Sequence, residues 1–125
     1  SLLRMIINQL PLKLAHMGFD GSGLVLSEVS LLNANLQCAN LSKANLQHAD
    51  FSFAKLKNAN LQESNLQCAL FINANLDGAN LKRTYMQKSK ITASLQQTSF
   101  IGSILRGADF TNSNKSNAIL EHIIT

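Results

Sequence analysis

The chain has no tryptophan, one tyrosine and one proline in 125 residues, and only 14% of its residues are charged. Reading single-stranded nucleic acid needs aromatic platforms beside clustered cations, so this composition argues against direct nucleic-acid binding. There are two cysteines, Cys38 and Cys68, and no Cys-x-x-Cys, His-x-x-His or His-Glu-x-x-His spacing to gather metal ligands. Gly21 and Gly23 do not make a phosphate-cradling loop. The carboxylates Asp50, Glu63, Asp77 and Asp109 are scattered, not paired. No apolar run is long enough to span a bilayer, and no secretory signal pattern is visible. The expectation is a protein without catalytic residues, cofactor or metal. Its thiols are expected to stay reduced in a cytoplasmic setting.

What the chain does have is a period of five. From Leu36, every fifth residue is large and apolar: Leu41, Leu46, Phe51, Leu56, Leu61, Leu66, Phe71, Leu76, Leu81, Met86 and Ile91. Two places before each stands a small residue, from Ala34 and Ala39 through Ser64 to Thr84 and Ser89. An internal repeat of fixed period outranks any local reading. A helix needs apolar residues at a period near 3.6 and a strand at 2, and five serves neither over sixty residues. It suits a chain that turns a corner every five residues. The large residue i and the small residue i−2 then point inward together, as strand geometry requires. A tube this narrow cannot hold two large side chains per side, which explains the small partner. Asn at i−1 (Asn35, Asn40, Asn45, Asn60, Asn65, Asn75 and Asn80) suits a corner, because Asn tolerates turns and bonds nearby backbone.

The run Ala-Asn/Asp-Leu-x-x, densest over Ala34–Leu81, resembles the pentapeptide-repeat family. The resemblance covers roughly residues 24–120. It implies an all-β fold, a right-handed quadrilateral β-helix with four pentapeptides per coil. It also implies a protein of the kind that mostly lacks enzymatic activity. Some members protect or inhibit DNA gyrase by imitating duplex DNA, which needs an acidic wall. This chain is net +4, from 11 Lys plus Arg against 7 Asp plus Glu.

Three irregularities divide the chain. Residues 2–17 do not repeat in fives; Leu3, Ile6, Ile7, Leu10, Leu14 and Met17 share a helical face that Pro11 interrupts. This segment reads as a helical cap over the solenoid end, with a membrane or partner helix as the alternative. Residues 18–23 read as a glycine-rich hinge, completing a first unit over 1–23. The β-helix then occupies 24–112, with a one-residue slip from Ile91 to Leu95 that should flatten one corner or bulge one side. Lys115 breaks the apolar register, so 113–125 reads as a loop beginning near Asn112, then a last strand or cap. An uncovered final coil is a pairing template, and end-to-end self-association, or packing on a neighbouring segment, is expected. The chain opens on Ser1 rather than Met, as a fragment of a longer protein would.

At four repeats per coil, Gln47, Gln67 and Gln87 stack outward as an amide ladder, with Arg106 beyond them. Lys82, Arg83, Lys88, Lys90 and Arg106 gather in the C-terminal half with few acids nearby, a candidate surface for an acidic protein partner. Phe53, Leu70 and Ile72 form a candidate apolar patch on another side. His48 and Cys68 are also stacked neighbours, but an outer wall offers no cleft or orienting group for thiol–imidazole chemistry. Cys38 and Cys68 lie one and a half coils apart, on opposite sides and beyond disulfide reach. The function these features point to is a non-catalytic protein–protein interaction or scaffold module. A DNA-mimic modulator of gyrase or topoisomerase is the alternative, and a membrane-associated module a further one.

Overall fold

The computed structural model describes residues 18–125, together with Leu2, Met5 and Ile6, which have helical backbone and are exposed. The expected helical cap over residues 2–17, and the membrane-helix alternative to it, lie outside the described residues.

The described chain winds into a four-sided solenoid. Parallel bridges join each i−1 residue to the residue twenty further on: Asn35 to Lys55, Lys55 to Asn75, Asn40 to Asn60, Asn60 to Asn80. Each side is so short that these are single bridges and not long strands. The backbone still pairs systematically. Leu41 N–H donates to Asn60 C=O (2.7 Å), Asn60 N–H to Ala39 C=O (2.8 Å), and Lys43 N–H to Gln62 C=O (2.9 Å). In the coil that carries the slip, the four sides are centred on Leu81, Met86, Ile91 and Leu95, and are named for them below.

The five-residue pattern is the inside of this tube. Leu36, Leu41, Leu46, Phe51 and their successors are buried, and so are Ala34, Ala39, Ala44 and Ala49 beside them. Phe51 and Phe71 stack on successive coils with centroids 4.9 Å apart and planes 2° from parallel. Phe100 and Phe110, from opposite sides, meet edge to face at 5.7 Å. Where Ser or Thr replaces the small Ala, its hydroxyl bonds a core carbonyl: Ser64 to Leu61 (2.6 Å), Ser89 to Met86 (2.7 Å), Thr98 to Leu76 (2.7 Å). A buried hydroxyl is tolerated here because it has that partner.

Every corner but one places its i+2 residue in the left-handed region, whatever its type: Cys38, Lys43, His48 and Phe53 all have φ near 60°. The N–H that follows closes the turn, as Ala39 N–H does to Leu36 C=O (3.0 Å). Asn at i−1 does not occupy the corner. It stands on the flat side and reaches the corner with its side chain. Asn40 Oδ1 accepts from the Ser42 N–H (3.1 Å), Asn60 Oδ1 from Gln62 (3.0 Å), Asn80 Oδ1 from Lys82 (3.0 Å). Asp20 and Asp109 do the same for Ser22 and Thr111, and these hydrogen bonds hold both carboxyls below the ordinary carboxylate range.

The solenoid extends further than its regular core in both directions. Residues 18–23 are not a hinge: Asp20 bridges Asn40, and Gly18 and Gly23 take the corner conformation. At Gly18 a Cβ would lie 2.1 Å from the Cys38 carbonyl oxygen, so no larger residue fits. Here the large and small positions exchange, with Phe19 packed on the core and Gly21 buried where Leu stands in later coils. At the other end, residues 112–117 are not a loop. Asn112 and Asn117 keep the corner φ, Asn114 bridges Ser94, and Ile119 and Ile124 continue the ladder. Lys115 occupies the core register at this outermost coil, and its Nζ lies 5.9 Å from the Phe110 ring centroid. A cation over an aromatic face is a stable place for a charge that cannot enter the tube.

The slip after Ile91 does flatten a corner. Bridges shorten by one residue there, as in Asn75 to Ser94, and no left-handed residue occurs between Lys88 and Gln97. Two neighbouring coils supply what the missing turn does not. Ser113 Oγ accepts from the Ala93 N–H (3.1 Å) and donates to the Ile91 carbonyl. Asp77 Oδ1 accepts from the Ser94 hydroxyl (2.7 Å) and the Gln96 N–H (2.9 Å). Ser113→Ala should therefore cost about 1–3 kcal/mol, the penalty for stranding buried backbone groups. Ser116→Ala, whose hydroxyl bonds only the exposed Asn114 side chain, should stay within about 0.5 kcal/mol. Urea unfolding of both variants checks this, and equal midpoints would remove the role given to Ser113.

Candidate functional site

Because outward residues repeat with the coils, each side is a set of columns. On the Met86 side the i−1 column reads Val25, Asn45, Asn65, Tyr85, Ile104, Ile124. The i+1 column reads Gln47, Gln67, Gln87, Arg106, as the sequence predicts. The three amides do not form a bonded ladder. Among the described residues no side-chain hydrogen bond joins them, and Gln87 Oε1 is buried without a partner.

The five expected cations are brought to one region but are not equivalent. Arg83 stands at the corner between the Leu81 and Met86 sides, and its Nη2 lies 2.9 Å from Glu63 Oε1, one coil below. Its stem runs beneath Gly102, where a Cβ would lie 3.2 Å from Arg83 Cγ. Lys90, on the Ile91 side, bridges Asp109 through the backbone and adds a charge beside that carboxylate. The region therefore does contain acids. Among the described residues only Arg83 of these five forms an ion pair, and Lys90 has Asp109 nearby, which leaves Lys82, Lys88 and Arg106 as the members with neither. Lys88 lies at the far corner of the Met86 side and Arg106 on that side, so the Met86 side is the centre of the patch.

Phe53, Leu70 and Ile72 are on or beside the Ile91 side. Phe53 is 52% exposed at a corner with φ 60°, and the other two are half-buried. Leu70 bridges Asp50 below and Lys90 above, so its column is polar on either side. The larger exposed apolar surface lies elsewhere. Tyr85 and Ile124 are 46% and 44% exposed, and Ile104 between them is half-buried. Ile119 extends the surface onto the Leu81 side, while Leu120, in the core register, is exposed at the coil end. The sequence carried a signal for it: Tyr85, Ile104, Ile119 and Ile124 occupy the i−1 position, where earlier repeats have Asn.

His48 and Cys68 are stacked corner residues on adjacent coils, and no hydrogen bond or ion pair joins their side chains. Cys38 and Cys68 sit at diagonally opposite corners and are free. No group of His, Cys, Asp and Glu among the described residues could hold a metal ion. No helix among them is long and apolar enough to cross a membrane. At the C-terminal coil a cavity of about 340 Å³ is lined by Leu105, Phe110, Lys115, Leu120 and Ile123 among others.

The chain matches the family model for Pentapeptide repeats over residues 25–62, 54–92 and 93–123, eight copies in all. None of the curated proteins matched it. Among solved structures it is similar to HetL, a pentapeptide repeat protein involved in heterocyst differentiation regulation from the cyanobacterium Nostoc sp. strain PCC 7120. The identity is 26% and the TM-score 0.63, covering 83% of this chain and 56% of HetL. It is also similar to the pentapeptide repeat protein Rfr23 from the cyanobacterium Cyanothece 51142, at 34% identity and TM-score 0.39, covering 74% of this chain and 60% of Rfr23. A third is alr5209, a pentapeptide repeat protein from Nostoc PCC 7120, at 27% identity and TM-score 0.42, covering 82% and 80%. The chain thus spans less than two thirds of the length of HetL and of Rfr23. The likeness to HetL gives the winding its hand, a right-handed β-helix.

One prediction separates a patch residue from a strained one. Phe53 is an exposed aromatic in a conformation that Asn adopts readily. Phe53→Asn should raise stability by roughly 0.5–1 kcal/mol in urea unfolding. A loss of stability would show that the ring packs on the wall.

Proposed function

The chain belongs to the pentapeptide-repeat family, and we propose that it is a non-catalytic protein–protein interaction or scaffold module. The observation that supports this is the register. Bridges twenty residues apart, and nineteen at the slip, hold outward side chains in straight columns across successive coils. Backbone pairing from coil to coil makes such a wall stiff, and a stiff wall gives an extended contact surface without needing a pocket. HetL, to which the chain is similar, is involved in the regulation of differentiation, a role compatible with a module that acts by binding. The uneven charge favours an acidic partner, since Lys82, Lys88 and Arg106 project around the Met86 side. The same charge weighs against imitation of DNA, which would need carboxylates in those columns. End-to-end self-association through the C-terminal coil, with its apolar cavity, belongs to the same proposal. So does a reducing, cytoplasmic setting, with which two separate free thiols agree.

Affinity capture from a lysate tests the reading. The baits are the native chain and a variant with Lys82, Lys88 and Arg106 changed to Glu, both shown by circular dichroism to be folded. The expected result is a protein held by the native bait at low salt, weakened at moderate salt and lost with the variant. Equal capture by both would remove the basic surface from the account. Capture by neither would reduce the protein to a spacer.

A further inference from the structure

The Met86 side breaks its own rule in the C-terminal half. Above Val25 its central column is Asn45 and Asn65, and each side chain caps the following corner: Oδ1 accepts from Gln47 N–H at 3.3 Å and from Gln67 N–H at 3.2 Å. The next three members are Tyr85, Ile104 and Ile124. None has a short side-chain acceptor, so the cap is forfeited at the corners that follow Tyr85 and Ile104. Nothing is gained inward, because i−1 residues face out and the core beneath is filled by Met86 and Leu105. Two consecutive coils thus exchange a stabilising polar contact for outward apolar surface, and Ile124 continues the apolar column. Local rules broken without an internal return are expected at functional positions.

What surrounds the column identifies its ligand. Arg83 stands at one edge of this side and Lys88 at the other, with Arg106 beside Ile104 and Lys82 around the corner. Arg83 is already paired with Glu63, so the free charge comes from Lys88, Arg106 and Lys82, and an apolar stripe flanked by these cations calls for an apolar stripe flanked by acids. The spacing fits a helix. The three coils rise by about 4.8 and 9.6 Å, while helical residues three and seven positions on rise by about 4.5 and 10.5 Å. We propose that the Tyr85–Ile104–Ile124 column, with Lys82, Lys88 and Arg106, is the docking surface for an amphipathic helix of a partner protein. That helix lies along the solenoid axis, its apolar residues on the column and its Asp and Glu on the cations. This rests on the interaction-module reading and names the partner's chemistry. The chain's own residues 1–17 contain Arg4 and Lys13 and no Asp or Glu, so they lack the charge this surface calls for.

The test is fluorescence anisotropy on the full 125-residue chain. The probe is a labelled synthetic helix of about four turns, with Leu at a, d and the following a and d positions and Glu on both flanks. The informative variant is Tyr85→Asn with Ile104→Asn, which restores the sequence's own cap and so should fold at least as well as the native chain. The native chain should bind saturably, and more weakly as salt rises. The Asn double variant and a Lys88→Glu/Arg106→Glu variant should each bind about tenfold or more weakly. Lys55→Glu, in the Leu95-side column, should bind as the native chain does. Absence of saturable binding, equal binding by all variants, or equal binding of a scrambled peptide would overturn the proposal. So would retention on phosphatidylglycerol vesicles, lost in the Asn double variant, without peptide binding; that would make the surface a membrane contact. Lysate capture that survives the Asn double variant would remove this surface while leaving the interaction-module reading intact.

Discussion

Everything in this molecule depends on backbone pairing between residues one coil apart. The amide of each core residue donates to the next coil, and the amide of each i−1 residue donates to the previous one, as Asn60 N–H does to Ala39 C=O. That ladder fixes the coil length, and the coil length fixes which side chains meet. It explains why the core tolerates so little variety. With about 4.8 Å between coils, a large residue must stack on its own kind, as Phe51 does on Phe71. It also explains why the corners tolerate so much. Once the ladder is in place, even Phe53 and Lys88 are held in the left-handed region, a conformation that L-residues otherwise avoid.

The same constraint turns a deletion into a local repair. A coil one residue short would leave the Ile91–Leu95 corner without its turn bonds. Ser113 from the coil above and Asp77 from the coil below take over that work. The register beyond is undisturbed, because Ser94 bridges Asn114 and Ile104 bridges Ile124 at the full spacing again. Repeat architectures absorb such changes because each coil contacts only its neighbours.

The inside of the tube was legible in the sequence because a fixed period in residue size has one geometric solution. The slip to Leu95 was legible for the same reason. Other readings do not survive the geometry. Asn at i−1 suits a corner by its chemistry, but it stands beside the corner and caps it. Lys115 breaks the apolar register in the sequence, yet at an outermost coil a cation can lie over Phe110. The glycines of residues 18–23 suggested a hinge, when they serve corners and a Phe19-for-Leu exchange. The surface was harder to read. The cations could be collected by column, but the Arg83–Glu63 pair depends on side-chain reach across coils. The apolar column hid in plain view, because Tyr and Ile are ordinary strand residues until the position is known to face out.

The account makes function a property of one wall. The most direct measurement is a residue-by-residue map of amide shifts in the isotopically labelled protein when an acidic amphipathic helix is added. The account predicts shifts confined to the Met86 side and its margins, around Tyr85, Gln87, Lys88, Ile104, Arg106 and Ile124. Shifts centred on the Leu95 side, around Lys55 and Asn75, or on the Phe53 corner would contradict it.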